Sequence, residues 1–312
     1  MTQRMRAPAR REGGFSLIEM MVAVTIGLFI LGGLVALMVS SQRSYQVQDY
    51  SARLQESARF AVQFLSYDLR MAGYFGCTHN FANTSSDTGA PDVSSIATES
   101  SSDSITVVYA NPLDEGIFVE QVDDIVGAPN VWKLNQLPTD WTVGTPLVAS
   151  DCGSAVVSVI TAVNTNTNTV TVDPNLNRVL DPQSTGPGGI GVRRLISNTY
   201  TVNTSGASGV PVLERNGAEL VEGVENIQLL YRTIASDIFA PAPYAGQLAA
   251  VKLGVLVRSV SNAADDKEYG DASAMMTDTG NHTLLGTDVS VGSLRGQRRV
   301  FSSTMLVRNS NL

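Results

Sequence analysis

Residues 12–19 read Glu12-Gly13-Gly14-Phe15-Ser16-Leu17-Ile18-Glu19, and from Phe15 the chain continues FSLIEMMVAVTIGLFILGGLVALMV to Val39. Glu19 is the one charge in that stretch. As a helix rising 1.5 Å per residue it would extend about 37 Å, more than the roughly 30 Å of a bilayer's hydrocarbon core. Arg4, Arg6, Arg10 and Arg11 precede it, opposed only by Glu12. Basic flanks stay on the cytoplasmic side of a span, so the N-terminus is expected inside and everything after Ser40 outside. A secretory signal has a shorter apolar core and ends in a small-residue cleavage site. This run ends in Ser40, Ser41, Gln42 and Arg43, so it reads as an anchor. Glu19 is what a plain anchor does not explain. A carboxylate inside an apolar span costs about 2.5–3.5 kcal/mol on insertion scales, and such residues are usually paired or functional.

The string Gly14-Phe15-Ser16-Leu17-Ile18-Glu19, followed by an uncharged apolar run, resembles the class III signal of type IV pilins and type II secretion pseudopilins. The resemblance implies that a prepilin peptidase cuts between Gly14 and Phe15 and that the new Phe15 terminus is N-methylated. Residues 1–14 are then a cytoplasmic leader. Glu19 becomes an assembly residue, the counter-charge for a Phe15 amine of its own or a neighbouring subunit. Buried ion pairs set register better than they add stability. Two features depart from the common pattern: the leader is long, and Ala36 stands where many major pilins carry a proline. Gly32 and Gly33 lie nearby, and a glycine disfavours a helix interior by about 1 kcal/mol relative to alanine.

Past the span, Val47, Tyr50, Leu54, Ala58, Ala61, Leu65 and Leu69 recur at steps of three and four between polar residues. That spacing predicts an amphipathic continuation with one buried stripe. No proline interrupts the chain from Phe15 to Arg70, and Gly73 and Gly76 mark the end of the helix. The expected division is residues 15–40 as the transmembrane half of the helix, 41–75 as its amphipathic half and 76–312 as a β-rich head. Ser, Thr, Asn, Val and Gly dominate the head, the vocabulary of short strands and turns. Residues 77–103 read as a long loop. Strands are expected at 104–110, 117–122, 145–149, 155–163, 169–172, 190–196, 199–203, 210–214, 224–232, 249–260 and 298–308. Asn164 to Asn168 reads as a hairpin connection, and Asn216-Gly217 is the strongest hairpin signal in the chain. The fold class is α+β and pilin-like: one long N-terminal helix packed on a large antiparallel head.

The segments GYFGC (73–77), VEGVENIQLLYR (221–232) and RRVFSSTMLVRN (298–309) resemble the PilW-type minor pilins, relatives of the J-type pseudopilins of type II secretion. Residues from about 80 to 215 are not covered by this likeness. It implies a structural subunit that helps initiate a type IV pilus and sits at or near its tip. The implied partners are other minor pilins, the major pilin, the prepilin peptidase, the inner-membrane assembly platform and a PilY-type tip adhesin. The head would face the periplasm and later ride on the pilus at the cell surface, in adhesion and twitching motility. A J-type secretion pseudopilin and a tip binding module are the alternative readings.

Catalytic chemistry is not expected. Cys77 and Cys152 are the only cysteines, and in an oxidising compartment a lone pair is most simply one disulfide, two buried thiols being the alternative. His79 and His282 have no local partner set, so no metal or other cofactor is expected. Gly186-Pro187-Gly188-Gly189 lacks a following Lys-Ser/Thr and reads as a turn. Asp265-Asp266-Lys267-Glu268 with Asp271 lacks the spacing of a calcium loop and reads as a solvated acidic loop. A net charge of −8 argues against nucleic acid as a partner. Arg193-Arg194 and Arg298-Arg299 read as strand-edge or interface charges.

Overall fold

The computed structural model describes residues 14–76, 96–98, 104–123, 130–151, 153, 155–173, 186, 188–204, 206, 209–241, 248–259, 282–289 and 296–307. The Ser16 carbonyl accepts from the amide of Met20, 3.2 Å away. From there one helix, α1, runs Leu17–Met71 over 55 residues. Its end follows from the two glycines. Gly73 takes a left-handed φ of 71°, which suits the position just past a helix. Its amide then donates to the Val108 carbonyl at 3.1 Å, handing the chain to the head.

The chain forms two units, one up to Asp49 and one from Tyr50 onward. In the first, no residue of the most apolar eighteen-residue window of α1 is buried. In the second, Tyr50, Leu54, Ala58, Ala61, Leu65 and Leu69 form the buried stripe that the spacing predicts, whereas Val47 remains exposed. The two alanines bring the helix backbone close to the sheets, and burying each leucine contributes about 1.5–3 kcal/mol.

The described strands are β1 (Ile96–Thr98), β2 (Ser104–Ala110), β3 (Val119–Asp123), β4 (Asn130–Leu134), β5 (Pro146–Ser150), β6 (Ala155–Asn164), β7 (Thr169–Asp173), β8 (Gly191–Asn203), β9 (Val212–Arg215), β10 (Ala218–Glu222), β11 (Val224–Thr233), β12 (Leu248–Arg258), β13 (His282–Leu284), β14 (Thr287–Val289) and β15 (Arg298–Leu306). All of their pairings are antiparallel. One sheet runs β1-β2-β8-β5-β6-β7-β4-β3, with β9 on β8 and β10 on β9; a second runs β11-β12-β15. β8 organises the first sheet. Its start pairs with β5, its end with β9, and its opposite side with β2.

The start of β8 also meets the start of β3. Phe118 bridges Gly191, and Val119 donates to the Ile190 carbonyl at 3.0 Å. The ladder β8-β5-β6-β7-β4-β3 thereby returns to β8 as a small closed barrel filled by Trp132, Trp141, Leu134, Leu147, Ile160 and Val172. Closure leaves this part of the sheet without the open edge that invites aggregation. A second core joins the stripe of α1 to β2, β8, β9 and β10 and to the sheet β11-β12-β15.

Several sequence expectations need correction. The expected strands 190–196 and 199–203 are one strand, because the polar Ser197-Asn198 between them sits where β8 pairs with Val108 and Val107 of β2. The expected loop 77–103 contains β1, which pairs with β2. β4, β10, β13 and β14 go beyond the expected strands; each is short, and β10 is mostly exposed. Asn216-Gly217, with φ of 54° and 76°, turns β9 into this unexpected β10, as a two-residue hairpin of the mirror-image type requires. The connection 164–168 does join β6 to β7 as expected. Cys77, Cys152, His79 and the acidic run 265–271 lie outside the described residues.

Candidate assembly site

Three described residues stand before α1: Gly14, Phe15 and Ser16. A Cβ placed on Gly14 would meet nothing within 4 Å, so nothing among the described residues requires a glycine there. Phe15 is 83% exposed, and Glu19 occupies the first turn of the helix, also exposed. The positive end of the helix dipole favours a carboxylate at that position. Thr25, the other polar side chain of the apolar stretch, donates back to the Val22 carbonyl at 2.8 Å and to Met21 at 3.1 Å, so its hydroxyl is satisfied within the helix. Glu19 is left as the only residue from Leu17 to Val39 whose polar group looks outside its own helix for a partner. Gly14, Phe15 and Glu19 therefore cluster at one helix end, with no other described residue placing a demand on any of them.

In the head, α1 is fixed by a carboxylate. Asp68 is buried, and it accepts from the hydroxyls of Tyr200 at 2.6 Å and Tyr109 at 2.9 Å and from the Asn198 amide at 2.7 Å. Asn216 of the β9–β10 turn donates on to Asn198 at 3.0 Å, extending the network to a loop. Burial first, and the adjacent Asp68 next, push both tyrosine hydroxyls well above their ordinary value. A helix held by apolar contacts alone could slide or rotate, whereas three directed hydrogen bonds to one carboxylate fix its register on β2 and β8. Sequence reading missed this network, because Asp68 lies among the polar residues of an amphipathic helix.

A second buried cluster lies at the ends of the other sheet. Arg298 grips Glu225 through two contacts of 2.6 and 3.0 Å, and Arg258 lies 3.3 Å from the same carboxylate. Burial lowers the affinity of Arg258 for its proton, Glu225 opposes that, and Arg298 adds to it. Arg298, expected as a strand-edge or interface charge, does stand on an edge strand, but its side chain is wholly buried and ties β15 to β11, while Arg299 is exposed. Arg194 pairs with Asp114 and Asp140, and Arg193 lies over the Tyr74 ring. Gly186 and Gly189 close the expected turn through a 3.0 Å hydrogen bond. Among the described residues, no group of His, Cys, Asp and Glu could hold a metal ion.

The family model described as the prokaryotic N-terminal methylation motif matches residues 9–39. No curated protein and no solved structure matches the chain. The matched residues end before the head begins. They support a subunit of the pilin and pseudopilin class, processed by a prepilin peptidase, anchored by its N-terminal helix and assembled with other pilins. The architecture agrees: one long apolar helix whose second half packs on a large antiparallel head.

Proposed function

We propose that this chain is a PilW-type minor pilin, a structural subunit that helps initiate a type IV pilus and remains at or near its tip. The observation that carries the reading is Glu19, a lone carboxylate in the first turn of an apolar helix, five residues past Gly14 and within the matched motif. Cleavage between Gly14 and Phe15 frees a cationic amine, methylated on Phe15, inside the apolar environment that Glu19 also occupies. The amine of one subunit then docks on the Glu19 of its neighbour. The four arginines of the leader hold the N-terminus in the cytoplasm and send the head to the periplasm, from which it moves onto the fibre. Other minor pilins, the major pilin, the inner-membrane platform and a PilY-type adhesin are the partners of this reading.

A disulfide between Cys77 and Cys152 belongs to the same proposal. Its support is chemical: in an oxidising compartment a lone pair of cysteines is most simply one disulfide.

The test is Glu19→Ala in cells lacking the wild-type copy. Removing the carboxylate eases insertion, but leaving a partner amine buried and unpaired costs about 3–5 kcal/mol. The variant is expected to be inserted, cleaved and folded, yet largely absent from sheared pili. Normal incorporation and normal pilus number would refute the docking role.

A further inference from the structure

β15 ends the sheet β11-β12-β15, and among the described residues nothing pairs with its outer edge. Exposed edges are ordinarily guarded by a charge, a proline or a bulge. From Val300 to Leu306 the strand reads VFSSTML, with neither charge nor proline, and its register with β12 is unbroken from Ala250↔Leu306 to Arg258↔Arg298. At about 3.3 Å per residue this unguarded edge is roughly 23 Å long.

A groove of about 1060 Å³ lies between this strand and the head half of α1. It is lined by three successive residues of β15, Phe301, Ser302 and Ser303. Side chains of a strand alternate between faces, so a groove that touches three in a row meets the strand edge-on, at its backbone amides and carbonyls. Facing that edge are three cations, Arg59 and Arg70 of α1 and Arg215 of β9. Among the described residues Asp68 is the one carboxylate in the lining, and Tyr109, Tyr200 and Asn198 already engage it. The groove is therefore cationic within a chain whose net charge is −8. Ser66 adds a separate observation. It lines the groove at 8% exposure, and its hydroxyl has no hydrogen-bond partner among the described residues.

We infer that this groove takes an extended acidic segment of a partner protein, added as a strand to the free edge of β15. The edge supplies main-chain hydrogen bonds, which recognise a peptide rather than a small anion. The three arginines supply charge-assisted contacts to its carboxylates, and Ser66 offers one further polar contact at the floor. The groove lies wholly within the head, so this inference goes beyond the assembly role of Glu19 and does not depend on it.

The probe is a fluorescent seven-residue peptide alternating Glu and Val, titrated against the full chain in detergent, with the Lys-Val peptide as control. The Glu-Val peptide is expected to bind, to weaken as salt is raised, and to slow amide hydrogen exchange across 300–306. Arg59 and Arg70 are both exposed, so Arg59→Gln with Arg70→Gln leaves the fold intact; affinity should fall about tenfold. Ser66→Ala should weaken binding less. Equal binding of the Lys-Val peptide, absence of binding, or binding without protection of β15 would each overturn the inference. So would a single-stranded oligonucleotide that competes through the same arginines, or self-association that buries β15 and excludes the peptide. A Glu19→Ala chain that fails to enter fibres should still bind the peptide, which separates failure of this inference from failure of the assembly reading.

Discussion

The two halves of α1 share one backbone and differ in what surrounds their side chains. From Leu17 to Val39 the helix is apolar on every side and its large residues are exposed. From Tyr50 to Met71 only one stripe is apolar and buried, with Gln55, Glu56, Arg59 and Gln63 among the exposed positions. An amphipathic stripe finds its partner within the same chain, whereas an all-round apolar helix must find lipid or other helices. The first half is therefore built for surroundings that this chain does not itself provide, and the second for a head that it does.

The sharpest way to break that contrast is at Gly14. Because a side chain there meets nothing among the described residues, Gly14→Val should leave the head's melting temperature unchanged. A peptidase that needs glycine before the scissile bond should nevertheless fail completely. Intact mass of the chain made alongside its peptidase is expected to show unprocessed protein for the variant and a start at Phe15 for the parent. A variant that matures normally would reduce the first half to a plain anchor.

In the head the demands are internal, and the largest expected effect is the proposed disulfide. Closing a loop of about 75 residues stabilises by roughly 4 kcal/mol in the chain-entropy account. Reduction, or Cys77→Ser with Cys152→Ser, should lower the melting temperature accordingly, and the exported parent should resist alkylation until reduced. Two readily alkylated thiols in the untreated head would remove the crosslink.

Asp68 comes next. Asp68→Ala leaves two buried tyrosine hydroxyls and an asparagine amide without their acceptor, a loss of about 3 kcal/mol, while Gln55→Ala on the exposed side should change little. The same network sets the alkaline limit. The folded head holds the Tyr109 and Tyr200 protons above the ordinary value of 10.0, so the unfolded chain releases them first. Stability from this source is complete below about pH 10 and declines as pH rises past it. Melting curves from neutral pH to about pH 11 should show the decline, and Tyr109→Phe should flatten it. A parent head with no such decline would contradict the assigned burial.

The sequence made the helix legible because a 3.6-residue period and an uninterrupted apolar run are local signals. Six of the seven expected stripe residues are buried, and most long strands fall within a residue or two of their expected bounds. The N-terminal methylation motif over residues 9–39 was legible because it too is a local signal. What was hidden is long-range. The barrel closes through Phe118 and Gly191, and Asp68 meets Tyr200 across 132 positions of sequence. Arg298 reads as surface until Glu225 is seen beside it. None of these pairings leaves a periodicity, so only the folded chain displays them.

The smallest expected effect compares glycines in the two regions. In the head, a Cβ on Gly254 of β12 would lie 2.7 Å from Leu284 Cδ1 and 2.8 Å from Leu285 Cγ, beneath the β13–β14 hairpin. Leu284 is fully buried and Leu285 is held at a left-handed φ of 51°, so neither yields without lifting the hairpin. Gly254→Ala should therefore cost about 1–3 kcal/mol, the usual range for overpacking. In the N-terminal half, Gly32 and Gly33 have nothing within 4 Å of a built Cβ. Alanine there should favour the helix by about 1 kcal/mol per site and leave the head's melting temperature untouched. If Gly254→Ala melts like the parent, the hairpin is not packed on β12. If Gly32→Ala folds normally yet reduces incorporation into fibres, those glycines serve packing against other subunits, and the apolar half is shaped by its assembled neighbours as well as by the membrane.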